Sequence, residues 1–255
     1  MTVIDAVILG TLEGLTEFLP ISSTGHLILA SKLLGLQQTD THKAFEVSIQ
    51  LGSILAVLFI YAKKLLVDKS LWLKVIVAFL PTAIFGFLFY KTIKSLFGIE
   101  TVSVMLVAGG ILFLLVEFFR RNKRGSEGKS IDDLTIKESF VIGLFQSISM
   151  VPGTSRSGMT MLGGIFSGLS RKSAAEFSFL LAVPTMFVAT FYDLYKNRSS
   201  MAVDDYNLLA IGFGVAFIVA FFTVKAMIRF LEKHTFIAFG IYRIIVGLAF
   251  WFFVV

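Results

Sequence analysis

Two stretches of an otherwise greasy 255-residue chain hold most of the residues whose types and spacing could do chemistry. EGLTEFLPISSTGH, Glu13 to His26, gathers two carboxylates, four hydroxyls and an imidazole around one proline and two glycines. Glu13 and Glu17 stand four apart and share a face of any helix they occupy. Like charges that close call for a shared proton or a cation between them. With Ser22, Ser23, Thr24 and His26 downstream, the stretch offers carboxylates to act as base or hold a metal, hydroxyl nucleophiles and an imidazole for proton transfer. The second stretch, QSISMVPGTSRSGM, Gln146 to Met159, sets Arg156 among Gly153, Thr154, Ser155 and Ser157. A guanidinium fork, hydroxyls and the amides of an expected helix start make an anion site, and phosphate suits it best.

The elements that must position these groups follow from composition. The chain is 56% hydrophobic and 16% charged, with a mean hydropathy of +0.85, where a soluble domain carries about 25% charged residues. It reads as an all-α integral membrane protein. The N-terminus lacks a basic region and a small-residue cleavage site, so no removable signal peptide is expected. Six segments are apolar over the length of a spanning helix: about 44–62, 72–90, 101–119, 174–192, 206–224 and 236–254. Regions 1–38 and 139–170 are apolar at their flanks and broken by Pro and Gly at their centres. Irregular backbone at membrane depth must be buried in protein or reached by water, so both read as re-entrant helix–loop–helix hairpins.

An ionisable group at the bilayer centre costs ~2.5–3.5 kcal/mol, so Glu13, Glu17, His26 and Arg156 are expected to converge. GLTE (Gly14 to Glu17) matches GLFQ (Gly143 to Gln146), and PISSTG (Pro20 to Gly25) matches PGTSRSG (Pro152 to Gly158). The chain thus divides into a repeat over about 1–119, a basic loop at 120–138 and a second repeat over about 139–255, within one membrane domain. Three spans per half is an odd number, so the halves should run inverted, with the site where they meet. With both termini outside, the inner face receives Lys63, Lys64, Lys69, Lys74, the basic loop, Arg171, Lys172, Lys225, Arg229 and Lys233. The outer face receives Lys32, Lys43, Lys91, Lys94, Lys196 and Arg198, and the excess of positive charge inside favours this orientation.

EGLTEFLPISSTGH and PGTSRSG, with FEVSIQLGS (Phe45 to Ser53) and EFSFLLAVP (Glu176 to Pro184), resemble the undecaprenyl-diphosphatase family, the bacterial bacitracin-resistance membrane phosphatases. The resemblance covers essentially the whole chain, and Glu13, Glu17, Ser23, Thr24, His26, Ser155 and Arg156 stand where the family pattern has them. It implies hydrolysis of undecaprenyl diphosphate to undecaprenyl phosphate and phosphate. That reaction recycles the lipid carrier of peptidoglycan and other envelope polymers, and it gives bacitracin resistance. The resemblance also implies a divalent cation, Mg²⁺ or Ca²⁺, and a site facing the outer side of the bacterial cell membrane.

On this reading Arg156, Ser155, Thr154, Ser157 and Gly153 hold the diphosphate with Ser22 and Thr24, while Glu13 and Glu17 hold the cation or activate the nucleophile. Ser23 is the first choice of nucleophile, with His26 as acid or base. A phosphohistidine at His26 is the competing assignment. The absence of cysteine excludes a thiolate or a cysteine-ligated metal, and oxygen donors suit Mg²⁺ or Ca²⁺. The expected partners are the polyprenyl diphosphate and membrane lipids, with a homodimer as one admissible assembly. Nucleic acid is not expected, because no aromatics interleave with the basic loop. Glu46 and Gln50 read either as support for the first hairpin or as helix–helix hydrogen bonding. Glu117 reads as snorkelling from a span end, and Arg243 as paired with a carboxylate, snorkelling or making a second phosphate contact. The runner-up is a polyprenyl-phosphate transporter, since inverted repeats around a midplane site are also transporter architecture.

Overall fold

In a computed structural model of the chain, which describes residues 1–37, 39–120, 127–197 and 206–254, both polar stretches lie at the turn of a short helical hairpin. Helix α1 (Val3–Thr16) opens on a capping box: Thr2 Oγ1 accepts the Asp5 N–H at 3.2 Å, and the Thr2 N–H donates to Asp5 at 2.6 Å. It ends as Pro20 approaches, since a proline disfavours helical backbone in the residue before it, and α2 (Ser23–Leu33) returns. Helix α7 (Ile136–Ile148) opens on the same device, with Thr135 Oγ1 accepting the Glu138 N–H at 3.2 Å and the Thr135 N–H donating to Glu138 at 2.9 Å. It turns at Pro152 into α8 (Arg156–Phe166).

The remaining elements are α3 (Asp40–Val67), α4 (Lys69–Leu88), α5 (Tyr90–Ser95), α6 (Ile99–Phe119), α9 (Arg171–Asn197), α10 (Tyr206–Lys233) and α11 (Ile237–Phe253). Within them Phe45–Val67, Lys69–Leu88, Ile99–Phe119, Arg171–Tyr192 and Tyr206–Lys233 are long and apolar enough to cross a membrane. Five of the six expected segments therefore have spanning length, and the sixth, α11, is an apolar helix of 17 residues. This is a multi-pass, all-helical membrane protein. Arg121, Lys123, Arg124 and Arg198, which enter the charge argument, lie outside the described residues.

Each hairpin packs against the other half of the chain: α1 runs along α10, and α7 along α4. The contact is backbone to backbone. A Cβ on Gly10 would lie 2.6 Å from the Gly212 carbonyl oxygen, and one on Gly143 would collide with the carbonyl of Ala78. Helices α6 and α11 cross as closely, with Gly110 against the Gly240 carbonyl. Small residues let helices approach in lipid, where no hydrophobic force drives them together. The two capping boxes, and Ser22 and Ser155 at the two turns, stand at one common interval in the sequence. That interval equates Glu13 with Gln146, one helical turn from the register that the GLTE and GLFQ match gives.

Glu117 does not snorkel. Its carboxylate takes Arg171 Nε at 2.8 Å and Nη2 at 2.5 Å, with both side chains buried, and the Phe236 N–H at 3.0 Å. One bidentate pair thus ties α6 to α9 and to the start of α11.

Candidate active site

The hairpin turns meet head to head. Ser22 (φ 72°) and Ser155 (φ 75°), each the residue before the returning helix, hold left-handed backbone that side-chain-bearing residues rarely adopt. Such strain persists where surrounding contacts over-determine it, and it clusters at functional sites. Those contacts are present. At the second turn the Gly158 N–H donates to Ser155 Oγ at 3.1 Å, Ser155 and Ser157 hydroxyls lie 3.1 Å apart, and Ser157 donates to the Leu19 carbonyl of the first turn at 2.8 Å. At the first turn His26 Nδ1 lies 2.8 Å from the Ser22 carbonyl. A carbonyl only accepts, so Nδ1 carries the proton and Nε2 accepts from the Tyr242 hydroxyl at 2.7 Å.

Arg243 joins the two turns from α11. Fully buried, it donates to the carbonyls of Pro20 (3.0 Å), Gly153 (2.8 Å), Met105 (3.0 Å) and Leu106 (3.3 Å). Gly109 leaves the space its guanidinium occupies. Neither a carboxylate partner nor snorkelling, as expected from sequence, describes this residue. Its hydrogen bonds go to backbone carbonyls, and its guanidinium lies 5.9 Å from the Phe113 ring centroid. The signal that could have found it is an Arg in the middle of an apolar segment with a Tyr beside it.

Three of the expected site residues form a hydrogen-bonded relay. Ser23 Oγ donates a short hydrogen bond to one oxygen of Glu17, whose other oxygen takes Arg156 Nη2 at 2.8 Å. Arg156 also donates to the Ser178 carbonyl at 3.0 Å and lies over the Phe18 ring at 5.7 Å. A cavity of about 170 Å³ opens over these groups, lined by Glu17, Ser22, Ser23, Thr24, Gln50, Gly153, Ser155 and Arg156 with Phe97, Met150 and Met186.

The other expected residues are displaced from that cavity. His26 faces Tyr242, with neither ring nitrogen bonded to Ser23. Ser157 and Thr154 hold backbone, Thr154 through the Val151 carbonyl. Glu13 is fully buried beneath the site and neither of its carboxylate oxygens has a hydrogen-bond partner, with Glu17, Glu46 and Arg156 as its charged neighbours. Gln50, one of the two readings left open from sequence, lines the cavity. Glu46 lies 3.2 Å from His42 instead.

A divalent cation fits this donor set in one way. Among the described residues no group of three or more His, Cys, Asp or Glu could form a cage. Mg²⁺, however, binds through one or two carboxylates, waters and substrate phosphates. Glu13, with two unpartnered buried oxygens, and Glu17 match that pattern.

The chain matches a family model described as bacitracin resistance protein BacA over residues 6–249. It is 59% identical over 251 residues to an undecaprenyl-diphosphatase of Sulfurihydrogenibium sp. (strain YO3AOP1), covering 98% of this chain and 99% of that one. Proteins of the same name from Persephonella marina (strain DSM 14350 / EX-H1) and Wolinella succinogenes are 56% and 53% identical, the first over the full length of both chains and the second over 99% of this chain and 98% of its own.

Proposed function

The chain belongs to the bacitracin resistance protein BacA family, and from that membership we propose that it is a membrane phosphatase converting undecaprenyl diphosphate to undecaprenyl phosphate and inorganic phosphate. The observation that carries the reading is the Ser23–Glu17–Arg156 relay, which places a hydroxyl on a carboxylate base beside a guanidinium at the mouth of a polar cavity.

In the mechanism this supports, an incoming diphosphate draws Arg156 onto its oxygens and leaves Glu17 free to take the Ser23 proton. Ser23 Oγ attacks the terminal phosphorus, the anhydride P–O bond breaks, and undecaprenyl phosphate departs. Glu17 passes that proton to the departing undecaprenyl phosphate, then takes one from a water that attacks the phosphoserine; the P–Oγ bond breaks, Ser23 Oγ recovers the proton from Glu17, and phosphate leaves. Arg156 and the open amides at the start of α2 stabilise the charge that gathers on the phosphoryl oxygens. Ser22, Thr24, Ser155 and the Gly153 backbone line the head-group cavity, while His26 holds the first turn in its strained form through Ser22. Glu13 and Glu17 are the residues that would hold Mg²⁺ or Ca²⁺, which supplies Lewis-acid stabilisation of phosphoryl charge when bound.

The crossed packing of hairpins and spans supports an inverted repeat of six spans and two re-entrant hairpins. The charge asymmetry supports outer termini and a site open to the outer side of the cell membrane. The test is phosphate release from undecaprenyl diphosphate by purified protein in detergent, with Mg²⁺ or Ca²⁺ and with EDTA. Ser23→Ala and Glu17→Ala should each lower kcat by about 10³-fold or more and Arg156→Ala by about 10²–10³-fold, with folding retained. EDTA should silence the wild type. Failure of well-folded wild type to release phosphate with either metal would sink the hydrolase and leave a polyprenyl-phosphate transporter.

A further inference from the structure

A cavity of about 460 Å³ lies where α6 and α8 end and the chain turns toward α9. The head-group cavity is lined by Phe97, just before α6 begins, and this one by Val116, Phe119 and Arg120, where α6 stops. The 21 residues of α6 span about 30 Å, so the two cavities open toward opposite faces of a bilayer.

Arg120 is the only cation lining this cavity among the described residues. Its Nη1 donates to the Ile165 carbonyl at 3.2 Å, in the last turn of α8, where a helix favours a cation. Its Nε is buried and has no hydrogen-bond partner among the described residues. Glu117, one of its charged neighbours, is already held by Arg171 through Nε and Nη2. Burial, and then Arg171 alongside, push the Arg120 guanidinium below its usual range, and Glu117 offsets only part of that. An anion is what this group lacks.

The surrounding walls are fixed in place. The Lys129 N–H donates to the Gly168 carbonyl at 2.8 Å and the Ser170 N–H to the Lys129 carbonyl at 3.1 Å. These bonds press Gly128 (φ 141°) against the α8–α9 turn, where a Cβ would lie 2.5 Å from the Ser170 nitrogen. Glu127, exposed, lines the same cavity without pairing with Arg120. Phe119 and Phe166 are 81% and 62% exposed. Large apolar rings left open at the end of a spanning helix belong against acyl chains.

We propose that this cavity binds one glycerophospholipid from the leaflet opposite the head-group cavity, its phosphodiester on Arg120, its ammonium toward Glu127 and its acyl chains along Phe119 and Phe166. Guanidinium suits phosphate oxygens, and basic pockets between spanning helices take lipid head groups. The Glu127 carboxylate selects an amine-bearing head group over a glycerol one. The volume lies within the ~300–1,000 Å³ of small-molecule sites, enough for head group and glycerol backbone, with the chains left in the bilayer. Bound there, the lipid fastens the far end of α8, the helix that begins at Arg156.

Native mass spectrometry of the full chain in uncharged detergent counts bound lipid directly. Phosphatidylethanolamine is titrated into wild type, Arg120→Gln and Glu127→Gln, with Lys233→Gln, an exposed cation at the end of α10, as control. One lipid should bind wild type and Lys233→Gln with the same Kd. Arg120→Gln, whose amide can still donate to Ile165, should raise that Kd about tenfold or more. Glu127→Gln should raise it about threefold. Phosphatidylglycerol should bind wild type less tightly than phosphatidylethanolamine does, and the two should bind Glu127→Gln alike. Diacylglycerol, which lacks the phosphate, should not bind, and inorganic phosphate in excess should not displace the lipid.

An unchanged Kd in Arg120→Gln overturns the proposal. So does phosphatidylglycerol or diacylglycerol binding wild type as tightly as phosphatidylethanolamine. Displacement by inorganic phosphate gives the site to a free anion, and a dimer that Arg120→Gln dissolves gives the face to a second copy; either removes the lipid. The diacylglycerol comparison uses wild type alone, so it decides even where Arg120→Gln does not fold. Phosphate release plays no part in the readout, so lipid capture here and the diphosphatase reading stand or fall separately.

Discussion

Among single side chains Arg243 has the widest reach, since its four carbonyl partners belong to both hairpin turns and to α6. A lysine there keeps the charge but replaces a planar fork of five donors with a point charge carrying three. Arg243→Lys should therefore lower kcat about 10²-fold through misplacement of the turns, with little change in KM. Arg243→Met should also lower thermal stability, because each buried carbonyl left without a donor costs about 1–3 kcal/mol. An unaltered kcat in folded Arg243→Lys would show that the turns hold their geometry without it. Glu17, Ser23 and Arg156 were legible in the sequence, because carboxylate, hydroxyl and guanidinium inside apolar segments must find one another. For His26 the sequence showed a polar group beside the first turn but not its contacts. Its partner Tyr242 is 216 positions away, and nothing local specifies that meeting.

The elements show the same division. Helix lengths and hairpins follow from apolar length, prolines and capping residues, which act locally, and five helices of spanning length and both hairpin turns fall where the sequence placed them. The choice of neighbour did not follow. That α1 lies on α10 and α7 on α4 depends on glycines whose opposing carbonyls are distant in sequence. Four-residue motif matches are short, whereas capping boxes fix where helices begin, and the GLTE and GLFQ match lies one helical turn from the interval of the boxes. Gly143→Ala tests the packing, because its methyl would meet the Ala78 backbone, which cannot rotate away. A loss of about 1–3 kcal/mol is expected, read as a lower melting temperature in detergent. Gly214→Ala, which meets nothing within 4 Å, should leave the melting temperature in place.

At the scale of the whole molecule, orientation is the property to test. With the termini outside, Lys91 faces the outer side and Lys137 the inner; both are exposed. In intact cells a membrane-impermeant maleimide should label Lys91→Cys and spare Lys137→Cys until the membrane is opened. The reverse pattern would place the pocket on the inner face. The clasp at the base of the pocket also has a consequence for synthesis. The first turn waits for Arg243, and α1 waits for α10, yet Arg243 leaves the ribosome 223 residues after Pro20. Chains generally fold from the N-terminus as they emerge, but here the opening hairpin must stay unsettled until the closing helix is inserted. A nascent chain that has not reached Arg243 carries Glu17, Ser23 and Arg156 without the clasp that joins the two turns.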